Sequence, residues 1–296
     1  MTENDFILFD RIDVIKKTIE KYGEENFYIS FSGGKDSTVL HHLIDEALPQ
    51  NKIPRIYINT GIEYNEIRKF VSELKEQDTR IVIYDSKVNI KSMLNEKGYP
   101  FKSKEHSYKL NMYQKNGAET KSVNKYITEN SFGCPAILKY QFTESFKLKV
   151  SDRCCSELKK KPIKRYEKET NRSISILGLR MEEGGQRANH AGCVVFDSNH
   201  SLKKFKPLNP CSNEFIEWYI QSRNIELCRL YYYPFNFKRT GCKGCPYAID
   251  LQNQLEIMSK YFPNERKQCE FIWKPVYQEY RKIGYRLKRI EEKRLF

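Results

Sequence analysis

The sequence predicts an α/β fold with a doubly wound parallel sheet, and three observations lead to this prediction. The apolar run 27–31 is typical of a buried strand, and it passes through the glycine turn Ser32–Ser37 (SGGKDS) into a helix over 35–48. Strand-sized apolar runs then alternate with helical patterns, as they do where right-handed crossovers lay down parallel strands. The later apolar run 173–177 adds a further buried strand.

Hydrophobic spacing assigns the remaining elements in chain order. Apolar residues at helical intervals predict a leading helix over 7–22, which ends at Gly23. The later pattern predicts strands at 55–59 and 80–84 and helices at 63–74 and 214–222. Residues 87–170 are polar, basic and weakly periodic, which indicates a partly helical, loop-rich insertion. We therefore divide the chain into the first part of the core (1–86), the insertion (87–170), the completion of the core (171–246) and a C-terminal helical region (247–296).

The composition excludes a membrane protein and argues against export. The longest apolar runs are strand-sized, and residues 1–5 have neither a basic start nor an apolar segment. We therefore expect a cytoplasmic protein that has no membrane partner. A reducing compartment would not keep a disulfide framework, so the nine cysteines indicate metal ligation or redox chemistry.

The glycine turn has the chemistry of an anion site. Gly33 and Gly34 let the backbone approach a phosphate closely, and the helix N-terminus adds partial positive charge. Lys35 and the hydroxyls of Ser32 and Ser37 would complete the site. The turn lacks the first glycine of G-x-x-x-x-G-K-[ST], so it is not a Walker A loop. The alternative is an ordinary Gly-Gly turn.

The loops after the other strands should face the same crevice, because ligands of open parallel sheets bind at the carboxyl ends of the strands. Thr60 and Gly61 follow the second strand and could contact the ribose or adenine side of a nucleotide, or simply cap the next helix. After the run 173–177 come Gly178, Arg180 and Arg187. The two arginines suit bidentate binding of phosphate or sulfate, although a salt-bridge set with Glu182 and Glu183 is the alternative.

Two cysteine pairs form the second motif. Cys154 and Cys155 are adjacent, and Cys242 and Cys245 form a C-x-x-C pair. Four thiolates in two pairs suit a tetrahedral sulfur site, either a structural zinc or a [4Fe-4S] cluster. Adjacent cysteines fit zinc poorly, since zinc sites usually use C-x₂-C on both sides.

The positive charge is concentrated in one segment. The formal net charge is +14, and residues 102–165 contain 15 basic and 6 acidic side chains, a net of +9. Such a concentration attracts polyanions, either nucleotide phosphates or a nucleic-acid backbone. A solvated basic surface is the alternative.

Four motifs together resemble the phosphoadenosine phosphosulfate (PAPS) reductase family of the PP-loop ATP pyrophosphatase, or adenine nucleotide alpha hydrolase-like, superfamily. They are SGGKDS, the glycine–arginine block 178–187, RCCSELKKKPI over 153–163 and GCKGCP over 241–246. The resemblance implies that ATP or a sulfonucleotide binds at Ser32, Gly33, Gly34, Lys35, Asp36, Ser37, Thr60, Gly61, Gly178, Arg180 and Arg187. It also implies that Cys154, Cys155, Cys242 and Cys245 hold a [4Fe-4S] cluster, as in bacterial adenylylsulfate reductases; a structural zinc or no metal is the alternative.

One departure from the family bears on the reaction. The reductases attack the sulfonyl sulfur with a thiol in a C-terminal ECGLH-like tail, whereas residues 288–296 contain no cysteine. The last cysteine is Cys269, where Arg266 and Lys267 favour a reactive thiolate but Glu270 and a helical apolar context oppose it. Cys134 is a second candidate nucleophile. The remaining cysteines, Cys193, Cys211 and Cys228, are assigned to packing.

The resemblance therefore implies an enzyme that cleaves ATP to AMP and pyrophosphate in sulfur transfer, as related branches do on DNA and tRNA. Lys35, Arg180 and Arg187 would stabilise charge on the leaving pyrophosphate, and Asp36 would help to hold Mg²⁺. A thioredoxin-dependent PAPS or adenylylsulfate reductase and a nucleotide-sensing module without turnover are the alternatives. Expected partners are an adenine nucleotide, a nucleic-acid acceptor and a cysteine desulfurase or thioredoxin-like sulfur donor. The sequence leaves the oligomeric state open, a homo-oligomer included.

Overall fold

A computed structural model describes residues 1–129, 133–183 and 192–289. The chain forms two compact units, each built from two stretches of sequence. The first unit contains residues 1–86 and 162–241, and the second contains residues 87–161 and 242–296.

The first unit holds one sheet of six strands in the described ranges. The strands are β1 (Phe27–Phe31), β2 (Arg55–Asn59), β3 (Ile81–Asp85), β4 (Ile174–Ile176), β5 (Val194–Phe196) and β6 (Leu202–Phe205). Their order is β3-β2-β1-β4-β6-β5, and only β5 runs antiparallel to its neighbour. The central position of β1 between two parallel neighbours confirms the predicted doubly wound α/β class.

Helices cover both faces of the sheet. Those of the first unit are α1 (Glu3–Tyr22), α2 (Lys35–Ala47), α3 (Asn65–Gln77), α7 (Lys161–Thr170, entered from the second unit) and α8 (Asn213–Ser222). Phe27 and Ile29 of β1 pack in a core with α1, α2 and α8, whereas Tyr28 packs with Tyr166 of α7. This alternation follows from the two-residue period of a strand.

The second unit is mainly helical. Its helices are α4 (Ile90–Lys97), α5 (Lys104–Asn116), α6 (Lys121–Thr128), α9 (Leu251–Tyr261) and α10 (Pro263–Ile283). Aromatic rings fill its interior, with Phe101 4.5 Å from the ring centroid of Tyr280. Each helix in the described residues is too short or too polar to cross a membrane.

A buried ionic network fixes α2 to the strand that follows it. Arg55 of β2 is fully buried, and its guanidinium donates to His41 Nδ1 at 3.1 Å and to Asp45 Oδ1 at 2.5 Å. Arg80 donates to both carboxylate oxygens of Asp45, at 2.8 and 2.9 Å. Burial opposes ionisation of Asp45, but the two arginines outweigh it and lower the pKa of this carboxyl.

We expect Asp45→Ala to destabilise the fold by about 2 to 3 kcal/mol, because it leaves the buried Arg55 charge without its carboxylate. Asp45 has a folded pKa below its ordinary 3.8, so its contribution is full above that pH and is lost as the pH falls through the folded pKa. Urea unfolding between pH 2 and 7 measures both effects. Asp13→Ala, which breaks an exposed pair with Lys17, should change stability by less than about 0.5 kcal/mol. Equal losses in the two variants would contradict the argument.

Candidate functional site

The glycine turn joins β1 to α2 at the carboxyl end of the central strand. Gly34 is the N-cap of α2, so the first amides of the helix have no intrahelical acceptor. Gly33 has a φ of 68°, a left-handed conformation that favours glycine. A Cβ on Gly33 would also lie 2.9 Å from Val71 Cγ2. The turn therefore needs glycine for conformation and for its approach to α3.

The two serines of the turn stabilise the turn itself. Ser37 Oγ donates to the Gly34 carbonyl at 2.8 Å and accepts from the Ser32 amide at 3.2 Å. The hydroxyls of Ser32 and Ser37 lie 3.0 Å apart. We expected these hydroxyls to bind the anion directly. In the structure they hold the loop in shape.

Tyr231 and Thr240 form a wall of the site that the sequence did not reveal. The Lys35 amide donates to the Tyr231 hydroxyl at 3.0 Å, and this hydroxyl lies 2.8 Å from Thr240 Oγ1. Tyr231 lies at the glycine turn, and Tyr233 is 87% exposed. The polar run 238–240 was the signal available in the sequence.

A cleft of about 320 Å³ opens at the turn. Its lining includes the turn, the loop after β4 and the second wall; the residues are Ser30, Ser32, Gly34, Lys35, Asp36, Ser37, Leu177, Gly178, Leu179, Tyr231, Lys238, Arg239 and Thr240. Three of these side chains are cationic and one is acidic. Size and charge suit the phosphates of a small anionic ligand.

The charged residues of the site are held by protein partners. Lys35 Nζ lies 2.5 Å from Glu217 Oε1, which keeps the ammonium at the cleft. Arg180 is buried, and it donates to Asp36 Oδ1 at 2.7 Å, to Asn213 Oδ1 at 2.9 Å and to the Cys211 carbonyl at 3.3 Å. Arg180 also forms the ion pair with Glu182, at 3.5 Å, that was the alternative to a phosphate contact, and it positions Asp36. Arg187, the second arginine of that prediction, lies outside the described residues, as do Gly184 and Gly185.

The loops after β2 and β4 take different roles. Thr60 Oγ1 donates to Glu63 Oε1 at 2.5 Å, and the Thr60 amide donates to the same carboxylate at 3.1 Å. These bonds close the turn 60–63, and α3 begins after its N-cap Tyr64 without a capping side chain. Of the residues described, neither Thr60 nor Gly61 lines the cleft. Gly178 does line it, and a Cβ there would lie 2.8 Å from the Asp36 carbonyl oxygen.

The C-x-x-C turn of the second unit is held by α10. The Cys245 amide donates to the Cys242 carbonyl at 3.2 Å, and Gly244 has a φ of 60°. Side chains of α10 bond the turn's backbone: Trp273 donates to the Lys243 carbonyl at 3.2 Å and Tyr277 to that of Gly244 at 2.5 Å. These bonds fix the backbone from which both thiols project.

Cys154 and Cys155 begin a helical segment that passes through a π-helical turn over Ser156–Lys160 into α7. Burial raises the pKa of the Cys154 thiol, and Cys242, Cys155 and Cys245 raise it further. Burial followed by the effect of Cys242 raises the pKa of Cys245 to about 12. All four predicted thiols belong to the second unit, and the two thiols whose pKa is raised are each affected by neighbours in this set.

The donor set fits an iron–sulfur cluster better than a single zinc ion. The raised pKa values of Cys154 and Cys245 favour the protonated thiols. These thiols would therefore ionise only beside a cation, such as a metal centre. Zn–S bonds of about 2.3 Å would place the sulfurs about 3.8 Å apart. In the described ranges, the ligand atoms of just one His, Cys, Asp or Glu trio lie within 4.8 Å of one another, and that trio is His41, Asp45 and Asp78. Any three of the four thiols are thus spaced more widely than zinc requires.

Two candidate nucleophiles lie in unfavourable surroundings. Cys269 is fully buried, its sulfur would lie 2.8 Å from a Cβ on Gly244, and burial raises its pKa to about 12. Burial also raises the pKa of Cys134 to about 11. Both environments oppose the thiolate that a nucleophile needs. Cys269 packs against the C-x-x-C turn.

Comparison with known proteins identifies the family. The family model for the phosphoadenosine phosphosulfate reductase domain matches residues 26–134 and 134–248. The fold and the glycine-turn site define a PP-loop protein, as the motifs predicted. The chain belongs to the phosphoadenosine phosphosulfate reductase domain family. A search of curated proteins gave no significant match.

Solved structures match the chain at low sequence identity. An FMN adenylyltransferase from Candida glabrata shares 14% identity over 78% of this chain, with a TM-score of 0.47, and this chain spans 59% of its length. A PAPS reductase from Candida auris shares 16% identity over 78% of this chain and 93% of its own, with a TM-score of 0.43. The U34-tRNA thiolase NcsA from Methanococcus maripaludis, with its [4Fe-4S] cluster, shares 14% identity over 95% of this chain and 80% of its own, with a TM-score of 0.39.

We expect Gly178→Ala to weaken binding of inorganic pyrophosphate about 10-fold. The new Cβ would overlap the Asp36 carbonyl, and relieving about 1 to 3 kcal/mol of overpacking would shift the first turn of α2. Calorimetric titration measures the affinity, and circular dichroism checks the fold. Gly241→Ala is the matched control, because nothing lies within 4 Å of its Cβ. Unchanged affinity in Gly178→Ala would show that this close approach does not position the turn.

Proposed function

We propose that this protein is an ATP-dependent sulfur-transfer enzyme that cleaves ATP between the α and β phosphates. The observation that carries the proposal is the cleft at the glycine turn, where α2 begins and three cationic side chains converge. Backbone amides and cations around a small cleft favour a polyphosphate over a neutral ligand. The absence of a Walker A sequence argues against cleavage of the γ-phosphate.

The reaction follows from the charges at the cleft. An oxygen of the acceptor would attack the α-phosphorus, and pyrophosphate would leave with the electrons of the broken P–O bond. Lys35, Lys238 and Arg239 line the cleft and would stabilise the charge on the leaving group. Arg180 holds Asp36 through its Oδ1 atom, in a position to support a Mg²⁺ ion bound to the phosphates. A hydrosulfide sulfur would then displace AMP, and this exchange involves no net oxidation or reduction.

The four thiols are proposed to hold a [4Fe-4S] cluster. Cys154, Cys155, Cys242 and Cys245 would be its ligands, and the cluster would supply a place to bind or deliver sulfur. The bonds from α10 keep the Cys242–Cys245 backbone in position for ligation. A cysteine desulfurase-like protein is the proposed sulfur donor. Its persulfide sulfur would be released as hydrosulfide by two electrons from a thioredoxin-like dithiol, which becomes a disulfide. A reducing, cytoplasmic compartment belongs to the same proposal.

A thiol-dependent reductase of PAPS or adenylylsulfate is the second candidate, since the matching family model is that of a reductase domain. Such an enzyme needs a reactive thiol outside the cluster ligands. Of the five further cysteines, Cys134, Cys211, Cys228 and Cys269 have pKa values that burial raises to between about 11 and 12. The fifth, Cys193, is half-buried and accepts a hydrogen bond from Arg11 at 3.2 Å. The four raised pKa values favour the sulfur-transfer proposal, and Cys193 is the thiol on which a reductase would depend.

We expect the purified protein with Mg²⁺, an acceptor and a source of hydrosulfide to release pyrophosphate and AMP from ATP. Lys35→Met should lower this rate about 100-fold or more, because it removes a cation from the developing charge. Lys75→Met is the matched control, because it removes an exposed lysine of α3 that does not line the cleft, and it should leave the rate unchanged.

The same preparation separates the two candidates. Sulfite release from PAPS or adenylylsulfate with thioredoxin, abolished in Cys193→Ser or Cys269→Ser, would overturn sulfur transfer in favour of the reductase. Release of phosphate rather than pyrophosphate from ATP would contradict both.

Anaerobically purified protein should be brown and contain about four iron atoms per chain. We expect Cys154→Ser and Cys242→Ser each to lose most of this iron, because each removes a proposed ligand. Cys193→Ser should retain it, since this thiol lies in the first unit. Metal analysis and the absorption spectrum give the result. If the protein instead contained one zinc per chain, and the same cysteine variants lost it, the result would contradict the cluster and indicate a structural zinc.

A further inference from the structure

A groove on the second unit is not used by the chemistry above. It has a volume of about 650 Å³ and lies between the C-terminal half of α5 and the segment 143–149. We call it the lysine groove, after Lys115, Lys147 and Lys149 in its lining. All of its lining residues belong to the second unit, so the groove is a property of this unit alone.

Two amide side chains of α5 give the groove a fixed wall. Gln114 donates to the Leu148 carbonyl at 2.7 Å and accepts from the Val150 amide at 3.1 Å. Asn111 donates to the Val150 carbonyl at 2.9 Å. These three bonds satisfy the backbone of residues 148–150 much as a neighbouring strand would. The wall that carries Lys147 and Lys149 is therefore built, and not an irregular surface loop.

The groove is electropositive. All three lysines are exposed, and among the described residues no carboxylate lies within 4.0 Å of the ammonium of Lys115 or Lys147. Lys149 donates to the Glu96 carbonyl at 2.6 Å. Glu144 is the acidic residue in the lining. The groove thus carries a net positive charge inside the segment 102–165, whose net charge is +9.

Two partly exposed aromatic rings accompany the lysines. The ring of Tyr113 packs edge-on against Phe142 with centroids 5.6 Å apart, and that of Phe146 packs edge-on against Tyr140 at 5.7 Å. Edge-to-face packing holds the plane of each ring. Unpaired bases of a nucleic acid can stack on such fixed rings while its phosphate backbone contacts the lysines.

We propose that the lysine groove binds a single-stranded segment of nucleic acid. Lysines alone would suit any polyanion, but the rings favour a strand with exposed bases over a duplex, whose bases are already stacked. An acidic peptide would use the lysines and gain little from the rings. The inference deepens the proposed function, because the bound strand would be the acceptor of sulfur.

The test is fluorescence anisotropy with a labelled 20-nucleotide single strand, as RNA and as DNA, and with the matching duplex. We expect the wild type to bind a single strand more tightly than the duplex. Lys115→Gln/Lys147→Gln should weaken binding and reduce the salt slope of log K by about 1.4, because each phosphate that a lysine neutralises adds about 0.7 to that slope. Phe146→Leu should weaken binding about 5-fold or more, since leucine offers no ring on which a base can stack.

Lys16→Gln/Lys75→Gln is the matched control, since it removes the same charge from exposed sites on the first unit. It should bind as the wild type does. Equally weakened binding in the two double variants, tighter binding of duplex, or no effect of Phe146→Leu would overturn the proposal. Because strand binding is measured without ATP, its failure is distinguishable from failure of ATP cleavage. Binding of inorganic pyrophosphate, measured by calorimetric titration, should be unchanged in the groove variants, because the glycine turn lies in the first unit.

Discussion

The site depends on one constraint, the close approach of the loop after β4 to the first turn of α2. Gly178 packs against the Asp36 carbonyl with no room for a side chain, and Arg180, two residues later, binds the Asp36 carboxylate. The same loop thus fixes the backbone and the side chain of one residue at the helix N-terminus. The amides of that turn can serve an anion only while the helix start is held in place.

Much of the fold could be predicted because its signals are local. Strand periodicity places β1 and β2 at the observed residues, and the glycine turn fixes the start of α2. The alternation of strands and helices then leaves few topologies for a parallel sheet. The observed ends of several elements differ from the predicted ends by one to four residues, because capping side chains decide where a helix begins. The Thr2 side chain accepts a hydrogen bond from the Asp5 amide, and α1 therefore begins four residues before the predicted start.

The site was predictable only in part, because spatial proximity leaves little trace in a single sequence. The glycine turn and the four thiols are visible as motifs. The wall formed by Tyr231 and Thr240 is not, since it meets Lys35 about 200 residues away along the chain. Arginine chemistry also misled the prediction. Arg180 could bind phosphate by its residue type, but its position below the turn commits its donors to Asp36, Asn213 and the Cys211 carbonyl.

The Tyr231 hydroxyl on the Lys35 amide has a consequence for selectivity. Without a ligand this amide is already satisfied, so an incoming anion must exchange one hydrogen bond for another and gains only the difference. A small monovalent anion therefore has little advantage over the tyrosine. A chain of linked phosphates, the ligand proposed for this cleft, would engage several donors at once and outcompete the tyrosine, so the resting contact would act as a filter against single ions.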